Sequence, residues 1–131
     1  MIIDVHTHVA DLRPPARMDR TPVTFDSLLA RLDEEGIDKA VLLPLPTTAE
    51  STPLPFLFGE YPDAVSLLRA AARYADRLIL FGSFDPRMGG NKADTDFSWL
   101  LDHFIEMGCV GIGEVTANLQ ADDPRVVNMF R

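Results

Sequence analysis

The chain has 131 residues, 47% of them apolar and 24% charged, with a net charge of −8. That is enough apolar sequence for the core of one globular domain, and its acidic balance argues against a nucleic-acid backbone or an anionic membrane as partner, since both call for basic surface. The single cysteine, Cys109, excludes an internal disulfide, and no charged-then-apolar leader precedes the first strand, so the expected compartment is the cytoplasm.

The chain opens Met1-Ile2-Ile3-Asp4-Val5-His6-Thr7-His8. Ile2, Ile3 and Val5 favour a buried strand, and alternation along a strand places Asp4, His6 and His8 on one face. Two imidazoles one strand repeat apart are within reach of a single ion. A carboxylate one repeat deeper is placed to hydrogen-bond a ring nitrogen and fix the tautomer of a metal-bound histidine. The plainer alternative is a polar strand end that meets solvent. An apolar strand with a metal-competent tip suits the carboxyl edge of an α/β sheet.

Residues 9–22 read as a polar loop carrying Arg13, Arg17 and Arg20 around Pro14 and Pro15. It leaves from the same edge as the histidines, which makes Arg13 and Arg17 candidates for holding an anionic substrate; solvated surface is the alternative. Thr24 can cap a helix with Phe25, Leu28, Leu29 and Leu32 at helical spacing, and Gly36 stops it. A second strand over 40–43 is followed by a proline-rich loop, 44–59, long enough to be a lid over a site or a contact for another subunit. Pro62 and Asp63 open a second helix that runs to about residue 76. A third strand, 78–84, delivers Asp85-Pro86-Arg87 and the turn-prone Gly89-Gly90. A third helix puts Phe97, Leu100, Leu101 and Phe104 on one stripe and leaves His103 at the surface.

A fourth strand, 109–115, places Val110, Ile112 and Glu114 on one face and Gly111 and Gly113 on the other, where glycines let a helix approach closely. A carboxylate at the end of such a strand is costly unless it is paired or ligated. If the Val110 face is the one shared with His6 and His8, the three form a His₂Glu set of the kind used by catalytic zinc, with water in the open position. Asp123 can cap and Pro124 start a fourth helix with Val126, Val127 and Phe130 buried, and the pattern is still helical at Arg131. Four strand–helix units with short crossovers imply a parallel sheet, and eight such units close a barrel in roughly 250 residues. The expected class is therefore α/β, of the (β/α)8 TIM-barrel type, with residues 1–131 as the amino-terminal half ending mid-helix.

The opening Ile3-Asp4-Val5-His6-Thr7-His8, the strand over 41–44, Phe81-Gly82-Ser83-Phe84-Asp85-Pro86, and Gly111-Ile112-Gly113-Glu114 followed by Asp122-Asp123-Pro124-Arg125 together resemble the amidohydrolase superfamily. More narrowly they are similar to its amidohydrolase-related branch of metal-dependent hydrolases, over essentially the whole chain. The resemblance implies a barrel with one or two divalent metals, usually zinc, at the carboxyl ends of its strands. His6 and His8 match the family's strand-one ligands, and Glu114 matches a strand-four acid that ligates or contacts the metal. The activity implied is attack of a metal-activated water on an amide, ester or similar bond of a small molecule, while some members of the branch decarboxylate or hydrate. The family's histidines on strands five and six and its strand-eight aspartate have no counterpart in this sequence, and His103, on a helix, is no substitute. The catalytic base is accordingly unassigned.

The same His-x-His opening begins phosphoesterases of the polymerase-and-histidinol-phosphatase type and TatD-like deoxyribonucleases. TatD-like proteins usually follow the strand-four glutamate with Gly-Leu-Asp, whereas Val115-Thr116-Ala117 follows Glu114. Two alternatives to a hydrolase stand beside it: a non-catalytic half-barrel that homodimerises to cover its sheet edges, and a metal-dependent phosphoesterase or decarboxylase. The expected partners are a small-molecule substrate and further copies of the chain, with no nucleic acid and no membrane.

Overall fold

Four short apolar segments, each followed by a helix, build a single parallel sheet. In the computed structural model, which describes residues 1–10, 21–45 and 63–131, the strands are β1 (Ile3–Thr7), β2 (Lys39–Leu42), β3 (Leu78–Gly82) and β4 (Gly111–Ile112), paired in the order β1-β2-β3-β4. Every pairing is parallel. The helices are α1 (Phe25–Glu34), α2 (Ala64–Ala71), which tightens into a 3₁₀ turn over Ala72–Tyr74, α3 (Ser98–Glu106) and α4 (Pro124–Met129). This is a half-barrel-like β/α fold, as the alternating pattern implies. Among the described residues no helix is long and apolar enough to cross a membrane.

Local chemistry sets the helix starts. Thr24 accepts the Ser27 N–H while Ser27 returns a bond to the Thr24 N–H, a reciprocal cap, and Asp63 accepts the Ser66 N–H. Gly36 follows α1 in the left-handed region at φ 66°. The core lies between helices and one face of the sheet: Ala40, Leu42, Leu78 and Leu80 from the strands meet Leu32, Leu67, Leu68, Leu100 and Phe104 from the helices. Each large side chain buried there contributes about 1.5–3 kcal/mol.

Several expectations are corrected. Ile2, Ile3 and Val5 are exposed, Val5 to 71%, and β1 is an edge strand of the described sheet, paired on one side by β2. Asp4 pairs with Ala40 and Thr7 with Leu42, three residues against two, so a bulge interrupts the alternation within β1. Thr7 then shares the helix-facing side with Leu42, His6 and His8 lie on the other, and Asp4 leaves their face. β4 is two residues long rather than seven, because its ladder with β3 spans only Phe81↔Gly111 and Gly82↔Ile112. The glycine that lets a helix approach is Gly82, where an added Cβ would stand 2.5 Å from the Phe104 ring; at Gly111 it would meet the Phe81 ring at 2.6 Å. In α4 the buried residue is Met129, and Phe130, one position past the last helical residue, is exposed.

Candidate metal centre

The carboxyl ends of all four strands meet at one edge of the sheet. His6 and His8 flank Thr7 at the end of β1, Leu43 follows β2, Ser83 follows β3, and Glu114 lies two residues past β4. The Nε2 atoms of His6 and His8 are 3.0 Å apart, and Glu114 Oε2 is 3.2 Å from the first and 3.3 Å from the second. Among the described residues this is the group of histidine, cysteine and acidic side chains whose ligand atoms converge on one point. The three residues that the sequence singles out as a possible ligand set are thus brought together, although the face argument does not deliver Glu114. Ile112 packs against the helix-side core and Gly111 against Phe81, and the β3–β4 ladder ends at Ile112, two residues before Glu114. Glu114 and Ile112 therefore do not share a face.

The backbone holds His8. Leu43 receives a hydrogen bond at its carbonyl from His8 Nδ1 (2.8 Å), and its N–H donates to the Thr7 carbonyl (3.0 Å). A carbonyl can only accept, so Nδ1 carries a hydrogen there and Nε2 is the ring nitrogen turned toward His6 and Glu114. Thr7, between the two histidines in sequence and buried on the opposite side of the strand, donates its hydroxyl to the Val41 carbonyl at 2.8 Å and pins the strand end laterally. For His8 the role expected of Asp4 is taken by Leu43, while Asp4 Oδ1 accepts the backbone N–H of His6 at 3.0 Å. His8 is mostly buried, at 16% side-chain exposure, whereas His6 at 57% faces solvent, so the cluster has a fixed inner side and an open outer one.

The loops after β3 and β4 lock each other by a repeated device. In Asp85-Pro86-Arg87 the arginine donates its own N–H and Nε–H to Asp85 Oδ1 and Nη2 to Oδ2; in Asp123-Pro124-Arg125 the same three bonds recur. Each arginine then crosses to the other loop: Arg87 Nη2 donates to the Ala117 carbonyl (3.0 Å) and Arg125 Nη1 to Asn91 Oδ1 (2.6 Å). Asp85 is 1% exposed, and its ion pair with Arg87 accounts for a carboxylate in that setting. Hydrogen bonds from Arg125 hold the Asp123 carboxyl down at about 2.

Thr7, Leu43 and Ser83 carry no sequence signal that separates them from ordinary strand residues. His103 sits on α3 with Nδ1 3.7 Å from Glu106, away from the cluster, as its place off the apolar stripe implies. Arg13, Arg17 and the 44–59 loop beyond Leu45 lie outside the described residues.

A donor set of two imidazoles and a carboxylate is that of catalytic zinc sites. With bonds of about 2.0–2.1 Å, the ligand atoms of a tetrahedral centre stand ~3.3 Å apart, and the three separations here are 3.0, 3.2 and 3.3 Å. The residues fit a divalent cation. Fold and site together define a parallel β/α half-barrel with a His₂Glu cluster at the carboxyl edge of its strands.

No family model matches the chain, and no curated protein sequence does. Among solved structures it is similar to a probable 2-pyrone-4,6-dicarboxylic acid hydrolase from Acinetobacter baumannii with citric acid bound, at a TM-score of 0.52 and 21% identity. The match covers 96% of this chain and 43% of that one, so the chain spans less than half the length of that protein. At this identity the likeness speaks for the fold.

Proposed function

We propose that this chain is the metal-binding half of a hydrolase of the amidohydrolase superfamily, with His6, His8 and Glu114 holding one divalent cation, zinc by its donor chemistry. The observation that carries the reading is the convergence of the three ligand atoms within 3.3 Å of one another. A cation there supplies Lewis acidity and lowers the pKa of water toward neutrality. The chain's own residues do the rest: the Leu43 carbonyl fixes the His8 tautomer, the Thr7 hydroxyl and the loop clamps hold the strand ends, and the exposed side of His6 leaves the substrate's approach open. The substrate class is a small molecule with an amide, ester or similar bond. The neighbour's named substrate, a pyrone and hence a cyclic ester, supports the ester end of that range. Arg13 and Arg17 remain the proposed contacts for an anionic group on the substrate, and a cytoplasmic location belongs to the same reading.

Metal titration tests it. Purified chain stripped with chelator is expected to take up one Zn²⁺ per molecule, and Co²⁺ in its place to give the intense visible absorption of a tetrahedral site. Glu114→Gln and His8→Ala, which remove ligands themselves, should each weaken binding by more than the roughly 10–100-fold that losing a ligand's hydrogen-bond partner costs. A wild-type chain that takes up no ion, or variants that bind as tightly as wild type, would sink the assignment.

A further inference from the structure

Glu114 is the cluster member with the least support from its own strand. β4 pairs through Gly111 and Ile112, and the last main-chain bond of that ladder runs from the Gly113 N–H to the Gly82 carbonyl at 2.8 Å. Beyond that point the Glu114 carbonyl accepts a 2.6 Å bond from a side chain, the hydroxyl of Ser83. Ser83 is 4% exposed and follows Gly82, the last residue of β3, directly. Three residues on, Arg87 grips the Ala117 carbonyl. The segment carrying the carboxylate is thus tied to the β3 end by one hydroxyl at Glu114 itself and one guanidinium at Ala117.

We propose that Ser83 is a positioning residue for the metal centre: its hydroxyl replaces the missing strand bond and fixes the Glu114 backbone so that Oε2 meets both histidine Nε2 atoms. The inference rests on the metal-binding reading above. A backbone released at residue 114 leaves two imidazoles in place, with His8 still braced by Leu43, and loses the defined position of the carboxylate. The expected signature is therefore weakened binding and altered coordination geometry in a chain that stays folded.

The test compares Zn²⁺ affinity, by competition with a chromophoric chelator, and the Co²⁺ absorption spectrum in wild type, Ser83→Ala and Ser83→Thr. Ser83→Ala should bind Zn²⁺ 10–100-fold more weakly and give a Co²⁺ band of lower intensity, with an unchanged far-ultraviolet dichroism spectrum. Ser83→Thr, which keeps the hydroxyl, should recover most of the affinity. Thr24→Ala, which removes a helix cap remote from the cluster, serves as the stability control and should lower the melting temperature without moving metal affinity. If the alanine variant does not fold, Ser83→Cys, close in size and a weak donor, is expected to show the same loss in smaller measure. Wild-type affinity in a folded Ser83→Ala or Ser83→Cys chain, or an equal loss in Thr24→Ala, overturns the role of Ser83 while leaving the metal site standing. A wild-type chain that takes up no ion overturns both.

Discussion

The Leu43 carbonyl and the Cys109 thiol show opposite consequences of burial. Leu43 is buried, and its carbonyl turns the shielded setting to account by holding one tautomer of His8. Cys109 is buried as well, but burial disfavours its thiolate and pushes the thiol from 9.0 up to about 11. Near neutral pH the native chain then carries roughly a hundredfold less thiolate than a free cysteine. A disulfide reagent should accordingly react slowly with the folded protein and promptly once denaturant is added; prompt reaction with the native chain would show that the residue is not enclosed. The linkage has a definite sign. With the folded value raised, the native state keeps its full share of stability below about pH 9 and loses it as the pH climbs toward 11.

At the scale of elements, the β3–α3 contact sets how closely a helix lies on the sheet. Gly82 faces the Phe104 ring at a distance that leaves no room for a Cβ, while Phe104 also stacks with Phe84 at 6.3 Å between ring centroids. Gly82→Ala should overpack this contact and destabilise the fold by about 1–3 kcal/mol, measured as a lower denaturation midpoint at unchanged slope. Trimming the ring in the double variant with Phe104→Leu should return part of the loss, since the two sites touch and their effects are coupled. Additive losses would mean that the ring does not set the spacing. The paired Asp-Pro-Arg clamps act just beyond the same carboxyl ends, so the segments that follow β3 and β4 are tied to each other by charge-assisted bonds.

For the whole molecule, the open question of a half-barrel is what covers its edges. Ile3 and Val5 on β1 and Val110 beside β4 are exposed apolar residues at the two ends of the sheet, and a shallow groove lined by Leu101, Ile105, Val110 and Ile112 runs beside β4. Exposed parallel edges with apolar flanks favour association. We expect this 131-residue chain to self-associate, with a sedimentation coefficient that rises with concentration, and Val5→Lys with Val110→Lys to shift it toward monomer. A monodisperse wild-type monomer across the micromolar range would remove the case for homo-oligomers. The acidic charge that argued against nucleic acid belongs to this scale too, as a property of the whole surface.

What could be read from the sequence was what depends on neighbours in the chain. Thr24, Asp63 and Asp123 begin helices because a cap is made within three residues, and the apolar stripes of α1 and α3 follow from the helical repeat. Alternating strands and helices imply the parallel half-barrel for the same reason. The pairing of His6 with His8 needs only strand spacing. Their meeting with Glu114 depends on contacts across more than 100 residues, and strand alternation gave an incorrect route to it. Only the tertiary structure decided that β1 bulges and turns Asp4 away, that β4 stops after two residues, and that Leu43 and Ser83 brace the cluster. A bulge or a strand end is set by which ladder bonds the neighbouring strand offers, and a backbone carbonyl that holds a histidine is present at every residue of every sequence, so its use is fixed only when the strands are side by side.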